Sequence, residues 1–461
     1  MKEIVFSTLE QLRNYARQQG LTATFLYREE DSSLMRFANS AISLNTNEHL
    51  IAIEITVYDG SRRASYEVIA SPGDQEALLR GVDTAAEMVK HTMPLDYAPT
   101  VTAIKIDFVD ESGFDAALAE MSSQQKLEYF NAAAAGMETG ELRLGGIFSS
   151  GINVLAICST LTDQTQYIKF TDAQVNVVLS HAVDKWEVLA EQSAARKTDL
   201  DPTPLQDHLS FLVEHYRQDP PIQLPLGKYD IIFGASATAH MLHFMHWIGF
   251  NGGLMKRGYS FLSEAEIGTQ VLSPLVNMAD DTSDYRTFPL RQDLIGMDRS
   301  RYPLFEKGIF RGFTYLQDEA DEFAQPATGH TVYHDSLTFA GGDHPVSSLR
   351  QLVSEPRDTD LLYFPYLHYA NIVNPSRGVL TGSSRFGALL LKKDGTIAVP
   401  FNVRISPSLK DILGSQLAWL SRESEANNIS LSYGARNPQA IVVPKFMRVN
   451  GVEITHSNSS Y

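Results

Sequence analysis

Three histidines recur at every third position of one apolar stretch, at His240, His243 and His246. No Pro or Gly interrupts residues 238–248, so the spacing predicts a helix with the three imidazoles within about a third of its circumference. Histidines on one helix are typical of zinc sites, but a hydrolytic zinc helix usually also carries a glutamate as general base. This segment has no acidic residue between positions 235 and 250.

Other interpretations of the three histidines therefore stay open. Three successive steps of three residues drift around a helix, which makes it hard for one ion to reach all three imidazoles. A packing helix, whose histidines bind backbone carbonyls or line a partner interface, is the favoured interpretation. A metal site and a role in contacting a peptide are the alternatives.

A polar loop, Thr328-Gly-His-Thr-Val-Tyr-His-Asp-Ser336, contains the residue types of a Ser-His-Asp site. No Gly-x-Ser-x-Gly elbow accompanies it, and a triad is defined by geometry that sequence does not reveal. The single cysteine, Cys158, lies in an apolar run and is predicted to be a buried structural thiol.

The segments after the histidine run are Gly-rich and basic. They read Gly-Gly-Leu-Met-Lys-Arg-Gly-Tyr-Ser-Phe-Leu-Ser over residues 252–263, then Ile-Gly-Thr-Gln-Val-Leu-Ser-Pro-Leu over 267–275 and Ala-Asp-Asp over 279–281. Together with blocks at 36–65 and 374–400, they resemble the TldD/TldE (PmbA) family. That family is described as modulators of DNA gyrase and as peptide-maturation metalloproteases.

The resemblance implies that this chain lacks a zinc site of its own. The catalytic TldD branch has the pattern His-Glu-x-x-x-His and takes a further ligand from a late cysteine. Alignment on Arg257-Gly-Tyr-Ser260 places His243 on the first motif histidine, Phe244 on the glutamate and Ile248 on the second histidine. Cys158 lies far upstream of the expected cysteine. The chain is therefore most similar to the non-catalytic TldE/PmbA subunit, with no catalytic and no metal residues, and zinc is expected in a TldD-like partner.

The resemblance also implies a dimer that encloses an unfolded peptide. We expect a TldD-like catalytic subunit as partner, or a homodimer when the chain is isolated. Candidate contacts of the substrate groove are His240, His246, Arg257 and His330, the last standing where the family has the asparagine of a Thr-Gly-Asn loop. The family's Asp-Asp-Glu-Gly stretch appears only as a degenerate Gly-Met-Asp-Arg-Ser-Arg over residues 296–301.

Composition limits the classes of partner. The 461 residues carry 38 Lys and Arg against 55 Asp and Glu, a net charge of −17. This sign disfavours direct nucleic-acid binding and suits a cationic peptide or a basic partner face. No run reaches the roughly 18 to 20 apolar residues of a membrane span. The N-terminus lacks a signal-peptide core, and the single cysteine suits a reducing compartment, so we expect a cytoplasmic protein.

The pattern of elements predicts an α+β protein of two domains. Residues 1–220 should form an antiparallel sheet with helices, ending in a linker from about residue 194. Residues 221–461 should form a strand-rich, barrel-like domain that contains the histidine helix. Predicted helices include those after Asp74 and over 122–135, 205–217 and 408–420; separate strands are predicted at 142–149, 154–158, 166–171 and 174–180.

The predicted function is that of a TldE-like subunit in a heterodimeric zinc metalloprotease. Such a pair would cleave unfolded peptides, in peptide maturation or in leader or antitoxin degradation. Two alternatives remain: an independent enzyme with repurposed histidine chemistry, and a binding or regulatory protein that acts without a protease.

Overall fold

A computed structural model describes residues 2–218, 220–430 and 436–460. Asp219, at the end of the predicted linker, lies outside the described residues. The α-helices are α1 (Lys2–Gln18), α2 (Gln75–His91), α3 (Ala116–Ala119), α4 (Ser123–Ala133), α5 (Pro202–Gln218), α6 (Ala235–Met245), α7 (Gly252–Lys256), α8 (Gln317–Phe323), α9 (Leu349–Ser354) and α10 (Leu409–Ile412).

The strands of the first half are β1 (Thr22–Ala38), β2 (Ala41–Asp59), β3 (Arg62–Ile69), β4 (Phe108–Gly113), β5 (Leu142–Ser159), β6 (Thr165–His181) and β7 (Glu187–Ala194). Those of the second half are β8 (Gly227–Gly234), β9 (Met278–Asp280), β10 (Tyr302–Glu306), β11 (Ile309–Phe310), β12 (Leu337–Phe339), β13 (Leu361–Phe364), β14 (Tyr366–Asn374), β15 (Val379–Arg385), β16 (Leu389–Leu391), β17 (Ile397–Ala398), β18 (Val403–Ile405), β19 (Leu417–Leu420), β20 (Ser424–Asn428), β21 (Ala440–Pro444) and β22 (Phe446–Ser457).

The first half is built on a seven-stranded sheet in the order β3-β2-β1-β5-β6-β4, with β7 also paired to β6. All its pairings are antiparallel except that of β4 with β6. The predicted breaks within residues 142–158 and 166–180 are wrong, because β5 and β6 each run through unbroken. β5 pairs along its whole length with β6 and nearly so with β1, so neighbours on both sides hold Gly151 in the strand.

Helices α1 and α2 cover one face of this sheet. Their apolar stripes, which include Leu9, Leu12, Leu78 and Val82, are fully buried against β1, β2 and β5. The predicted cap of α2 is confirmed, since the Asp74 side chain accepts a hydrogen bond from the Ala77 backbone N–H. Because these two helices pack on one face of the sheet, they leave its opposite face available to line a cavity.

The second half is strand-rich, as predicted, and the α+β class is confirmed. It contains a six-stranded sheet in the order β11-β10-β9-β12-β21-β20 and a nine-stranded sheet running from β14 to β17, with β8 near its centre. Within the described ranges neither sheet closes on itself, so the predicted barrel-like shape does not amount to a closed barrel. Helix α6 packs against β8, β14, β20 and β21 of the two sheets.

The predicted helix over residues 408–420 is wrong beyond its first turn. Helix α10 spans only Leu409–Ile412, and Leu417–Leu420 forms strand β19 against β22. Gly414 packs so closely that an added Cβ would lie 2.2 Å from the Lys410 carbonyl oxygen. The apolar residues that suggested one helical face therefore belong to a short helix and a strand.

The segment predicted as a linker carries α5, and this helix is part of the core. Leu205, Leu209 and Leu212 are buried in one cluster with Phe148 from β5 and Leu389 from β16. One apolar core thus continues from the first half into the second. The domain boundary near residue 220 stays a prediction. Across the described residues, no helix combines the length and apolarity that a membrane crossing requires.

Candidate functional site

Helix α6 follows directly from strand β8 and carries the histidine run. Its inner side is fully buried through Ala237, Ala239, Met241, Leu242 and Met245. Its outer side is only half-buried, and the residues there are His240, His243, Phe244 and, just beyond the helix end, Trp247. These four positions recur at steps of three and four residues and so form one stripe. We call them the outer stripe of α6.

The predicted continuous helix over residues 238–248 is correct only as far as Met245. Residues His246–Phe250 form a π-helical turn, in which the Asn251 N–H donates to the His246 carbonyl over five residues, at 3.2 Å. A π turn shifts the side chains that follow it relative to an α-helix. His246 precedes this shift, and its burial follows from the drift of about 60° per step of three residues, which places it about 120° around the helix from His240. His246 is fully buried, whereas His240 and His243 stay at the half-exposed side.

The three histidines consequently have different environments. His240 Nδ1 lies 2.9 Å from the Ser236 carbonyl oxygen, and its ring contacts Tyr366 edge-on. His243 Nδ1 has no hydrogen-bond partner among the described residues. Burial lowers the pKa of both His240 and His243, so both imidazoles are neutral at neutral pH.

His246 is held by a buried carboxylate. Its Nδ1 lies 2.6 Å from Asp335 Oδ2, and neither side chain is exposed to solvent. The other oxygen of Asp335 accepts a hydrogen bond from Gln439 Nε2, which also donates to the Val332 carbonyl. These bonds connect the π turn to the polar loop and to the start of β21.

A second buried carboxylate lies beside the first. Asp280, at the end of β9, receives Arg299 Nη2 at 3.0 and 3.1 Å and the Ser336 backbone N–H at 3.0 Å. His330 Nδ1 is 3.0 Å from Asp280 Oδ2, and its side chain is almost fully buried. The degenerate segment at 296–301 therefore supplies Arg299 as a structural partner of Asp280.

The residues at the metal-motif positions do not fit a zinc ion. Phe244 and Ile248 offer no ligand atom, and both pack against the large core of the second half. Cys158 is buried in β5, where its Sγ contacts the Leu9 carbonyl oxygen at 3.7 Å and burial raises its pKa to about 12. Within the described ranges, no group of three or more His, Cys, Asp or Glu is placed to hold a metal.

Two of the candidate groove residues are enclosed and two are accessible. His246 and His330 lie inside the protein, as described above. His240 lies on the half-exposed outer stripe, and Arg257 is exposed, where it pairs with Glu322 and stacks over the Phe323 ring at 4.9 Å. The predicted contact of these four residues with substrate stays a prediction.

A cavity of about 740 Å³ lies between the free face of the first sheet and the loops of the second half. We call it the inter-sheet cavity. On the sheet side it is lined by alternate residues of β1, β2, β3 and β5; on the other side it reaches Arg299, His334 and Asp335. It therefore borders the buried carboxylate network and offers enough room for a short extended peptide.

Charged residues of this cavity escaped the sequence analysis. Arg28 lies 3.3 Å from Glu54 and 3.8 Å from Glu67, while Arg63 on β3 pairs with Asp318 on α8. The sequence signal that could have revealed them is the alternation of apolar and charged residues along β2, where Glu54 stands between the fully buried Ile53 and Ile55. The lining thus combines both signs of charge, which suits a polar backbone as ligand.

The Asp280 pair gives stability a defined pH dependence. Burial raises the pKa of Asp280, but Arg299 and His330 outweigh burial and lower it to about 2. The unfolded carboxyl titrates near 3.9. The contribution of Asp280 to the free energy of unfolding is therefore complete above about pH 4. It is lost as the pH falls toward 2, at up to roughly 1.4 kcal/mol per pH unit.

We predict that Asp280→Asn lowers the free energy of unfolding by about 3–5 kcal/mol at pH 7, because Arg299 is left buried without a counter-charge. Below pH 4 the variant should lose less further stability than the unmodified chain does. Urea unfolding measured between pH 7 and 2 tests this, with the exposed Asp358→Asn as control. Identical pH slopes for Asp280→Asn and the unmodified chain would contradict the assignment.

The second half of the chain matches a known protein family. A family model described as the PmbA/TldA metallopeptidase C-terminal domain matches residues 226–456, just over half of the chain. No curated protein matches this chain.

Among solved structures, TldE from Thermococcus kodakarensis is similar at 15% identity and a TM-score of 0.77, covering 97% of this chain and 100% of that one. A candidate modulator of a DNA gyrase from Thermotoga maritima MSB8 is similar at 14% identity and a TM-score of 0.72, covering 97% and 99%. A candidate modulator of DNA gyrase from Bacteroides thetaiotaomicron VPI-5482 is similar at 14% identity and a TM-score of 0.75, covering 97% of this chain and 98% of that one. At these identities the structures support the fold. With the matched domain, they place this chain in the TldD/TldE (PmbA) family, with a metallopeptidase-type C-terminal domain.

Proposed function

We propose that this chain is the non-catalytic, TldE-like subunit of a heterodimeric zinc peptidase. The observation that carries the proposal is the replacement of two motif positions within a retained family fold. Phe244 and Ile248 stand where a base and a metal ligand are needed; Ile248 is buried in the core, and Phe244 packs against it. A chain with these residues supplies neither a metal ligand nor a base there, so the zinc belongs to a TldD-like partner.

The proposed substrate is an unfolded peptide in extended form. Two features support this. The inter-sheet cavity is lined by the face of a sheet, and β2 has a partly free edge, because β3 pairs with it only from Ala52 onward. Among the described residues, 41–51 of β2 hydrogen-bond to β1 alone. An extended peptide binds such edges through its backbone, which makes recognition tolerant of sequence.

The outer stripe of α6 is the proposed contact with the partner subunit. The chain itself buries most of this helix. What remains is an accessible aromatic patch. Trp247 contacts the half-exposed Tyr333 edge-on at 5.5 Å, and Tyr369 on β14 is 77% exposed. Aromatic residues of this kind are enriched at protein interfaces.

The purified chain should lack peptidase activity, and mixing it with a TldD-like chain from the same genome should produce chelator-sensitive cleavage of an unfolded peptide. Replacing the partner's first motif histidine should abolish cleavage by the mixture, because the zinc that activates water is then lost. A peptide-cleavage assay on each chain and on the mixture measures this. Chelator-sensitive cleavage by this chain alone would refute the proposal.

Trp247→Asp should prevent assembly while leaving the chain folded. Since Trp247 is only half-buried, the substitution should lower the free energy of unfolding by about 1–2 kcal/mol. It places a carboxylate in an interface that should exceed roughly 1,000 Å² and be largely apolar. Light scattering on the mixture measures the assembly, with Trp247→Phe as the matched control. A mixture that stays monomeric with the unmodified chain would contradict a dimer.

A further inference from the structure

A second cavity, of about 450 Å³, shares no lining residue with the inter-sheet cavity. It lies where β7, α5 and β20 meet the start of α6 and the β13–β14 connection. Its volume falls within the range of small-molecule sites in proteins. The proposed peptidase function makes no use of it.

Two of the four carboxyl groups that line this cavity lie on β7 and β20, which pack against each other. Glu191 on β7 and Glu425 on β20 both line it, and neither has an ion pair in the described part of the chain. Burial raises the pKa of Glu191, while the Ser236 hydroxyl lowers it. Burial raises the pKa of Glu425 to about 7; Lys445 lowers it and Glu191 raises it. Both carboxyl groups therefore border the same cavity.

The cationic side chains of the cavity are already paired elsewhere. The pairs are Arg286 with Asp284 at 2.7 Å, Arg350 with Asp207 at 2.8 Å and Lys445 with Glu423 at 2.9 Å. Burial lowers the pKa of His208 to about 4, so that imidazole is neutral at neutral pH. Each of these three cations thus has another carboxylate as its salt-bridge partner, whereas Glu191 and Glu425 have no salt bridge among the described residues, although Lys445 acts on the pKa of Glu425.

A third group in the cavity also lacks a partner. Asn427 is 4% exposed, and both its Nδ2 and its Oδ1 have no hydrogen-bond partner among the described residues. Buried amides in folded proteins are nearly always hydrogen-bonded. An unpartnered amide that lines a cavity beside two unpaired carboxyl groups indicates a ligand with hydrogen-bond donors.

We propose that this cavity binds a small organic molecule through a primary ammonium group, held by Glu191, Glu425 and Asn427 Oδ1. An ammonium has three N–H donors, and each of these three side chains has an oxygen that can accept one of them. The rings of Tyr363, Tyr366 and Phe386, which also line the cavity, provide an apolar surface for the alkyl part. A bound cation would keep both carboxyl groups ionised, against the effect of burial.

Isothermal titration calorimetry of the full chain tests this, with n-butylamine as probe and n-butanol as its neutral counterpart at equal ionic strength. We expect saturable binding of one butylamine per chain and no saturable heat with butanol. The double variant Glu191→Gln/Glu425→Gln should weaken butylamine binding by roughly tenfold or more, because it removes both charge-assisted bonds. Asn427→Leu should weaken it less.

Glu214→Gln is the matched control, since Glu214 is exposed on α5 and does not line the cavity. It should leave the affinity unchanged. Equal affinity for the double variant would mean that net negative charge alone attracts the amine, and would overturn the proposal. Absence of saturable binding to the unmodified chain, or equal binding of butanol, would overturn it without any variant. None of these outcomes bears on the proposed peptidase partner.

Discussion

Two carboxylates that lie entirely out of solvent, Asp280 and Asp335, join the segments beneath the histidine run. Asp280 binds Arg299 and contacts His330, and Asp335 binds His246 and Gln439. A buried charge without a partner costs several kcal/mol, so each carboxylate requires its partners to stay in place. The loops that carry these partners also form one wall of the inter-sheet cavity, whose shape therefore depends on this network.

Local patterns predicted the elements whose signals are local. Helix α2 follows its Asp74 cap, and α4 begins at the predicted Ser122 with a full capping box. Where tertiary contacts determine the element, the prediction from sequence was wrong. Neighbouring strands on both sides hold β5 in one strand through its Ser-Ser-Gly segment. Gly414 separates α10 from β19. Periodicity alone does not distinguish a helical face from a short helix followed by a strand.

The sequence was sufficient to predict the altered motif positions of the candidate site, but not the contacts that its residues make. The replacements at Phe244 and Ile248 could be read directly once the family pattern was aligned. The pairing of His246 with Asp335 spans 89 residues of chain, and no local residue pattern indicates it. The drift of about 60° per step of three residues separates the environments of the three histidines, which is why equal spacing did not produce a shared site.

The proposal of a partner-borne zinc is tested most directly by the metal content of the assembled pair. The measurement is native mass spectrometry of the complex co-purified from the native host, followed by its dissociation into subunits. The account predicts one zinc per heterodimer, retained by the TldD-like subunit after dissociation. Two zinc ions per heterodimer, or a zinc that stays with this chain, would contradict it.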